Sequence, residues 1–89
     1  MQFTWDPAKA AQNLLAHGVS FQEATTAFGD PLAGTIPDPD HSVGEERYIT
    51  MGHSSAGQVL VVCHIEQGDT IRIISARRAT SHERKDYET

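Results

Sequence analysis

The sequence predicts an α+β domain in which helices pack on an antiparallel sheet. Two segments with helix-start signals and apolar residues at helical spacing occupy residues 6–28. Three β-rich segments joined by short turns follow between residues 45 and 76, and another helix-start signal comes at Thr80. The chain has 89 residues, so we expect one domain over residues 1–89.

The first two elements are a short strand over residues 2–5 and a helix that begins at Asp6 and Pro7. Asp6 can accept hydrogen bonds from first-turn amides, and proline suits the first helical position. Gly18 should end this helix, because glycine readily takes the left-handed conformation after the last turn. The residues expected on its apolar face are Ala8, Ala11, Leu14 and Leu15.

A second helix is predicted from Ser20 to the Gly-Asp-Pro stop that begins at Gly29. Ser20 and Glu23 have the spacing of a capping box. Residues 29–44 form a long loop that leaves room for an extended piece at 32–36. Asp38, Asp40 and His41 in this loop are either metal ligands or a polar turn in which aspartates bond their own backbone. The polar turn is favoured, since no other ligand cluster is near in sequence.

Three strands are predicted at residues 45–52, 58–66 and 70–76, and short turns between them indicate an antiparallel meander. Strict alternation would place Ile71, Ile73, Ser75 and Arg77 on one face of the last strand and Arg72, Ile74 and Ala76 on the other. Cys63 and His64 are adjacent, so they should point to opposite faces, and Cys63 is interpreted as a small core residue. Thr80 to Glu83 is a second capping box, which opens a helix that continues through Glu88.

Charge is distributed unevenly along the chain. The net charge is −5, which argues against a general nucleic-acid binder. Residues 1–71 hold two bases against nine acids, whereas residues 72–89 hold five bases against three acids. Cys63 is the single cysteine, and no stretch has the pattern of a secretory signal or a membrane span. We therefore expect a cytoplasmic protein whose positive site is local and holds one or two phosphates.

The last strand ends in two adjacent arginines, Arg77 and Arg78. Arginine clusters bind phosphate and stabilise charge in phosphoryl transfer, and a histidine such as His17 transfers protons near neutral pH. With Arg47 on a neighbouring strand, these groups would suffice for metal-free RNA cleavage by the RNA 2′-hydroxyl. The alternative is that the arginines form surface ion pairs and His17 caps its helix. A regular meander also places Arg47 and Arg77 at opposite ends of parallel strands.

Four segments resemble, in order, the BrnT toxin family over residues 3 to about 87. They are Phe3-x-Trp-Asp-Pro-x-Lys, Asn13-Leu-x-x-His-Gly-Val-Ser-Phe-x-Glu-Ala, Gly44-Glu-Glu-Arg-Tyr and Ile73-Ile-Ser-Ala-Arg-Arg-Ala. The resemblance implies a RelE-like fold and a ribonuclease toxin of a type II toxin–antitoxin system that inhibits translation by cutting RNA. It also implies a BrnA-like antitoxin with a ribbon-helix-helix region, through which the complex would bind operator DNA.

The resemblance, taken together with the other basic residues of the chain, indicates which residues act. The catalytic candidates are His17, Arg47 and Arg77, with no metal or other cofactor. The candidates for RNA binding are Lys9, Tyr48, Arg72, Arg78, Arg84 and Lys85. Two other functions stay open: an inactive binding module that acts through its antitoxin complex and operon control, and a small metal-binding protein that uses the Asp38 loop.

Overall fold

A computed structural model describes residues 1–38 and 46–88 of the chain. The strands are β1 (Gln2–Thr4), β2 (Gly34–Pro37), β3 (Arg47–His53), β4 (Val59–Gln67) and β5 (Thr70–Arg78), and the helices are α1 (Pro7–His17), α2 (Phe21–Thr26) and α3 (Ser81–Glu88). A 3₁₀ turn at Ala27–Gly29 extends α2. Asp40 and His41 lie outside the described residues. Within the described ranges, no helix has the length and apolar character needed to cross a membrane.

The five strands form one mixed sheet in the order β1-β5-β4-β3-β2. The α+β class and the antiparallel meander of β3, β4 and β5 are confirmed. The prediction of a wholly antiparallel sheet is wrong, because β1 runs parallel to the first half of β5. A fifth strand, β2, pairs antiparallel with β3 at the sheet edge and overlaps the extended piece that the sequence allowed at 32–36 within the predicted loop. Short strands with Gly and Pro leave little local signal.

The predicted alternation along β5 is wrong beyond Ile73. A β-bulge shifts the register between Cys63 and His64 of β4, so that Cys63 pairs with Ser75 but His64 pairs with Ile73. Ile74 is the extra residue, and the side chains after it change face. Ile71, Ile73 and Ala76 are buried under the helices, while Ser75 and Arg77 point to the opposite face. The bulge therefore keeps Arg77 out of the core.

The predicted apolar face of α1 is also wrong. Leu14 and Leu15 are 50% and 90% exposed, and Asn13 is the buried residue of the helix. β1 pairs with only the first three residues of β5, which leaves the backbone of Ala76 open at that edge. The Asn13 side chain pairs with it, because Nδ2 donates to the Ala76 carbonyl at 2.8 Å and Oδ1 accepts from the Ala76 amide at 3.1 Å. An unpaired strand edge needs a polar partner, so an amide replaces a leucine here.

The core lies between the helices and one face of β4 and β5. Its largest buried side chains include Phe21, Leu60 and Ile73. His64 lies on the same side, where its Nε2 and the Thr50 hydroxyl are 2.7 Å apart. Cys63 points to the other face and is partly exposed in a pocket, so its assignment to the core is wrong. The predicted opposition of Cys63 and His64 is confirmed.

Candidate active site

The candidate active site is centred on Arg77, near the end of β5. Arg77 pairs with Val61 of β4 and lines two pockets, one on the face of the sheet away from the core and one between the end of β5 and the end of α1. We call these the sheet pocket and the strand-end pocket. The position of Arg77 follows from the bulge at Ile74, because a regular strand would have turned this side chain towards the helices.

The sheet pocket has a volume of about 220 Å³ and brings Arg47 and Arg77 together. Arg47 pairs with Ile65 and Arg77 with Val61 on opposite sides of β4, so their backbones are offset along the strands by four β4 residues, about 13 Å at 3.3–3.4 Å per residue. Both side chains nevertheless reach the same lining. The other lining residues are Asp38, Ile49, Val61, Cys63, Ile74 and Ser75. Burial raises the pKa of the Cys63 thiol, which keeps it protonated.

The strand-end pocket, of about 390 Å³, brings His17 to Arg77 and Arg78. His17 is the last residue of α1, and Gly18 follows in the left-handed conformation with φ 68°. Asn13, one turn earlier, ties α1 to Ala76, the residue before Arg77. The chain segments that contain His17 and Arg77 are thus joined by the buried contact between Asn13 and Ala76. Lys9 lines a neighbouring depression together with His17 and Ile74.

Arg77 has a close carboxylate partner in Glu83. Its Nη1 and Nη2 donate to Glu83 Oε1 and Oε2 at 2.8 and 3.0 Å, a two-point pair. Arg77 lowers the pKa of Glu83 to about 2, helped by the Thr80 amide, and Glu83 in turn raises the pKa of Arg77. The same carboxylate closes the predicted capping box, since it accepts from the Thr80 amide at 2.8 Å. Glu83 therefore couples α3 to the candidate site.

The structure separates the remaining candidates. Tyr48 is on the helix-covered side, where its ring stacks on His64 and its hydroxyl donates to Glu46. Arg72 is exposed in the register row of Ile65 and Arg47, five residues before Arg77.

The two basic residues of α3 also have different surroundings. Arg84 lines a third pocket that also contains Arg78, whereas Lys85 is exposed and lines neither this pocket nor the other two. Tyr48, Arg72 and Lys85 are thus outside the group around Arg77, and the RNA-binding site that we propose does not include them.

Sequence reasoning missed two residues of this region, Asn13 and Glu83. Asn13 follows another amide, Gln12, in α1, and no local pattern distinguishes the buried amide from the exposed one. Glu83 was read only as a helix cap. Its ion pair with Arg77 depends on the bulge at Ile74, which no local sequence pattern indicates.

No metal centre forms among residues 1–38 and 46–88, in which no three His, Cys, Asp or Glu side chains come together. Asp38 is described and buried, but its two companions in the proposed loop site are outside the described ranges. The chemistry that the described groups offer is that of guanidinium and imidazole. They bind anions, stabilise negative charge and move protons.

The sequence matches a family model, and the fold matches a solved structure. A family model described as "Ribonuclease toxin, BrnT, of type II toxin-antitoxin system" matches residues 5–83. The 1.1 Å crystal structure of the Brucella abortus ribonuclease toxin BrnT matches with a TM-score of 0.71 and 21% identity, over 91% of this chain and 99% of that one. At this identity the match shows the shared fold. No curated protein matches the sequence. The family match covers most of the chain, so this protein belongs to the BrnT family of ribonuclease toxins of type II toxin–antitoxin systems.

Proposed function

We propose that this protein is a metal-independent endoribonuclease whose cleavage site is centred on Arg77. The observation that carries the proposal is that Arg77 lines both the pocket with Arg47 and the pocket with His17 and Arg78. One guanidinium is therefore within reach of a second phosphate-binding cation and of a proton-transfer group. Family membership supplies the substrate class, RNA.

In the proposed reaction, the 2′-hydroxyl oxygen attacks the adjacent phosphorus and the bond from phosphorus to the 5′-oxygen breaks. The products are a 2′,3′-cyclic phosphate and a 5′-hydroxyl. Arg77 and Arg47 hold the phosphate and stabilise the charge that develops on its oxygens. The 2′-hydroxyl loses a proton and the leaving 5′-oxygen gains one; His17 takes part in one of these transfers and water in the other, while Arg78 and Lys9 position the flanking RNA.

The ion pair with Glu83 sets how strongly Arg77 can act. A guanidinium has five N–H donors, and its contacts with Glu83 and the Arg78 carbonyl leave donors available for a phosphate. The ion pair fixes the orientation of the Arg77 guanidinium between the sheet pocket and the strand-end pocket. Glu83 also offsets part of the positive charge of Arg77, so we expect a modest rather than a fast rate of RNA cleavage.

We extend the proposal to the role of the protein in the cell. Cleavage would inhibit translation in the cytoplasm until a BrnA-like antitoxin binds the toxin. That antitoxin would contribute a ribbon-helix-helix domain through which the complex contacts operator DNA. Support for an antitoxin comes from membership of a type II toxin family.

Expression of the chain alone tests the proposal. We expect growth arrest, and we expect Arg77→Ala to relieve it at equal protein abundance. Lys85→Ala is the matched control, since it removes one exposed positive charge outside the three pockets and should leave the arrest intact. A folded, abundant wild-type chain that leaves growth unchanged would refute the enzyme assignment.

A second candidate is a binding module without catalysis, which the occupied Arg77–Glu83 pair favours. It predicts a stable complex with the antitoxin and operator binding by that complex, but no cut RNA. Co-purification with the protein encoded beside it, followed by an RNA-cleavage assay on the released toxin, separates the two functions.

A further inference from the structure

We propose a second phosphate-binding subsite, formed by Arg78 and Arg84 at the junction of β5 and α3, which holds the phosphate of a nucleotide flanking the cut. This inference rests on the proposed ribonuclease function. The pocket has a volume of about 220 Å³ and is also lined by His53, Gly57 and Val59. We call it the junction pocket.

The junction pocket continues the strand-end pocket. Arg78 lines both, just as Arg77 lines both the strand-end and the sheet pocket. The three pockets therefore form a series that shares one arginine at each step, along the end of β5. We infer that an RNA strand bound with one phosphate at Arg77 continues along this series, with a flanking phosphate at the junction pocket.

The backbone around the junction pocket is fixed. The Ala79 amide donates to the Val59 carbonyl at 2.9 Å, which extends the strand pairing past Arg78. The capping box of Thr80 and Glu83 then sets the start of α3, and Arg84 Nη2 donates to Ser81 Oγ at 3.3 Å. Arg78 and Arg84 are thus held on one lining by separate elements.

The two arginines of the junction pocket differ from Arg77 in their charge balance. Within residues 1–38 and 46–88, neither Arg78 nor Arg84 forms an ion pair, whereas Arg77 is paired with Glu83. Among the described residues on the lining, Glu88 is the one acid, so the formal charge is +1 in a protein of net −5. Two like charges on one concave surface repel each other, and a bound phosphate relieves that repulsion.

A binding experiment tests the subsite with a short single-stranded 2′-O-methyl oligoribonucleotide that carries several phosphates. This probe has no 2′-hydroxyl to attack, so binding is measured apart from cleavage. Arg84→Ala should weaken binding by about fivefold at low salt and reduce the slope of log K against log salt by about 0.7, the value for one phosphate contact on a single strand. Lys85→Ala, the adjacent residue of the same helix, should change the dissociation constant by less than about twofold.

The results of this experiment distinguish failure of the subsite from failure of the proposed ribonuclease activity. Equal weakening by the two variants, no effect of Arg84→Ala, or no binding by the wild-type chain would overturn the subsite. Binding with the predicted difference but without cleavage of ordinary RNA would keep the subsite and reject the proposed ribonuclease activity. Both residues are exposed, and equal melting temperatures would show that both variants fold.

Discussion

Ala76 and Arg77 are neighbours on β5 but belong to two different environments. The backbone of Ala76 is closed off by the buried amide of Asn13, which has partners on both its nitrogen and its oxygen. The side chain of Arg77 lies in open pockets, where it is about two-fifths exposed and its partner Glu83 belongs to a helix with no buried residue. Polar groups on the helix-covered side should therefore determine stability, and those on the pocket side should determine RNA binding.

The largest stability change should come from Asn13→Ala. The variant leaves the Ala76 amide and the Ala76 and Val19 carbonyls without the partner they have now, in a buried place. An unsatisfied buried group costs about 1–3 kcal/mol, so we expect the free energy of unfolding to fall by about 3 kcal/mol. Urea denaturation measures this, with the exposed neighbour Gln12→Ala as control. A loss below that of the control would contradict the edge-pairing role.

Stability should also fall with acid because of His64. Burial lowers its pKa from 6.5 to about 4, and its imidazole packs between Phe28 and Tyr48. Between these values the unfolded chain takes up a proton that the folded chain refuses, so stability is lost as pH falls from 6.5 towards 4. We expect a decrease of about 2 kcal/mol between pH 7 and pH 5. His82→Ala should leave this slope unchanged, and a flat wild-type profile would contradict the prediction.

A smaller effect is expected at the far end of α3. The Tyr87 hydroxyl donates to Asp30, and burial together with this bond raises the pKa of Tyr87 to about 12. Asp30 keeps its bonds from the Leu32 and His53 amides in the variant Tyr87→Phe. We therefore expect a loss of about 1 kcal/mol. Hydrogen exchange should accelerate in α3 and not in α1, and equal acceleration in both helices would mean that Tyr87 is not a local anchor.

The smallest expected effect is a gain of RNA binding in Glu83→Gln. Glutamine preserves the capping box but removes the charge that offsets Arg77. Affinity for the 2′-O-methyl oligonucleotide should rise about threefold. Asp86→Asn is the control, because it removes the same charge from the same helix at a residue that lines none of the three pockets. Equal gains in the two variants would show that only overall charge matters.

The comparison of the two environments also shows what a sequence can predict. The start of α1 at Asp6, its end at Gly18 and the start of α3 at Thr80 depend on neighbouring residues, and all three were predicted correctly. The three long strands were placed to within one or two residues by their apolar pattern.

What the sequence could not predict depends on contacts between distant segments. The parallel pairing of β1, the bulge at Ile74 and the pairing of Asn13 with Ala76 each join residues far apart in the chain or change a local period. Arg47 and Arg77 were predicted as site residues from their residue type, their places on neighbouring strands and the resemblance to the BrnT family. That they line one pocket depends on the bulge, and their catalytic role stays a prediction.

We propose that this chain cuts RNA at the site around Arg77 without a metal ion. The most direct measurement incubates the purified, antitoxin-free chain with single-stranded RNA in EDTA and follows the formation of 2′,3′-cyclic phosphate ends. We predict cleavage by the wild type, a rate at least about 100-fold lower for Arg77→Ala at an unchanged melting temperature, and a rate within about threefold of wild type for Lys85→Ala. Loss of wild-type cleavage in EDTA, or an Arg77→Ala rate equal to wild type, would contradict the claim.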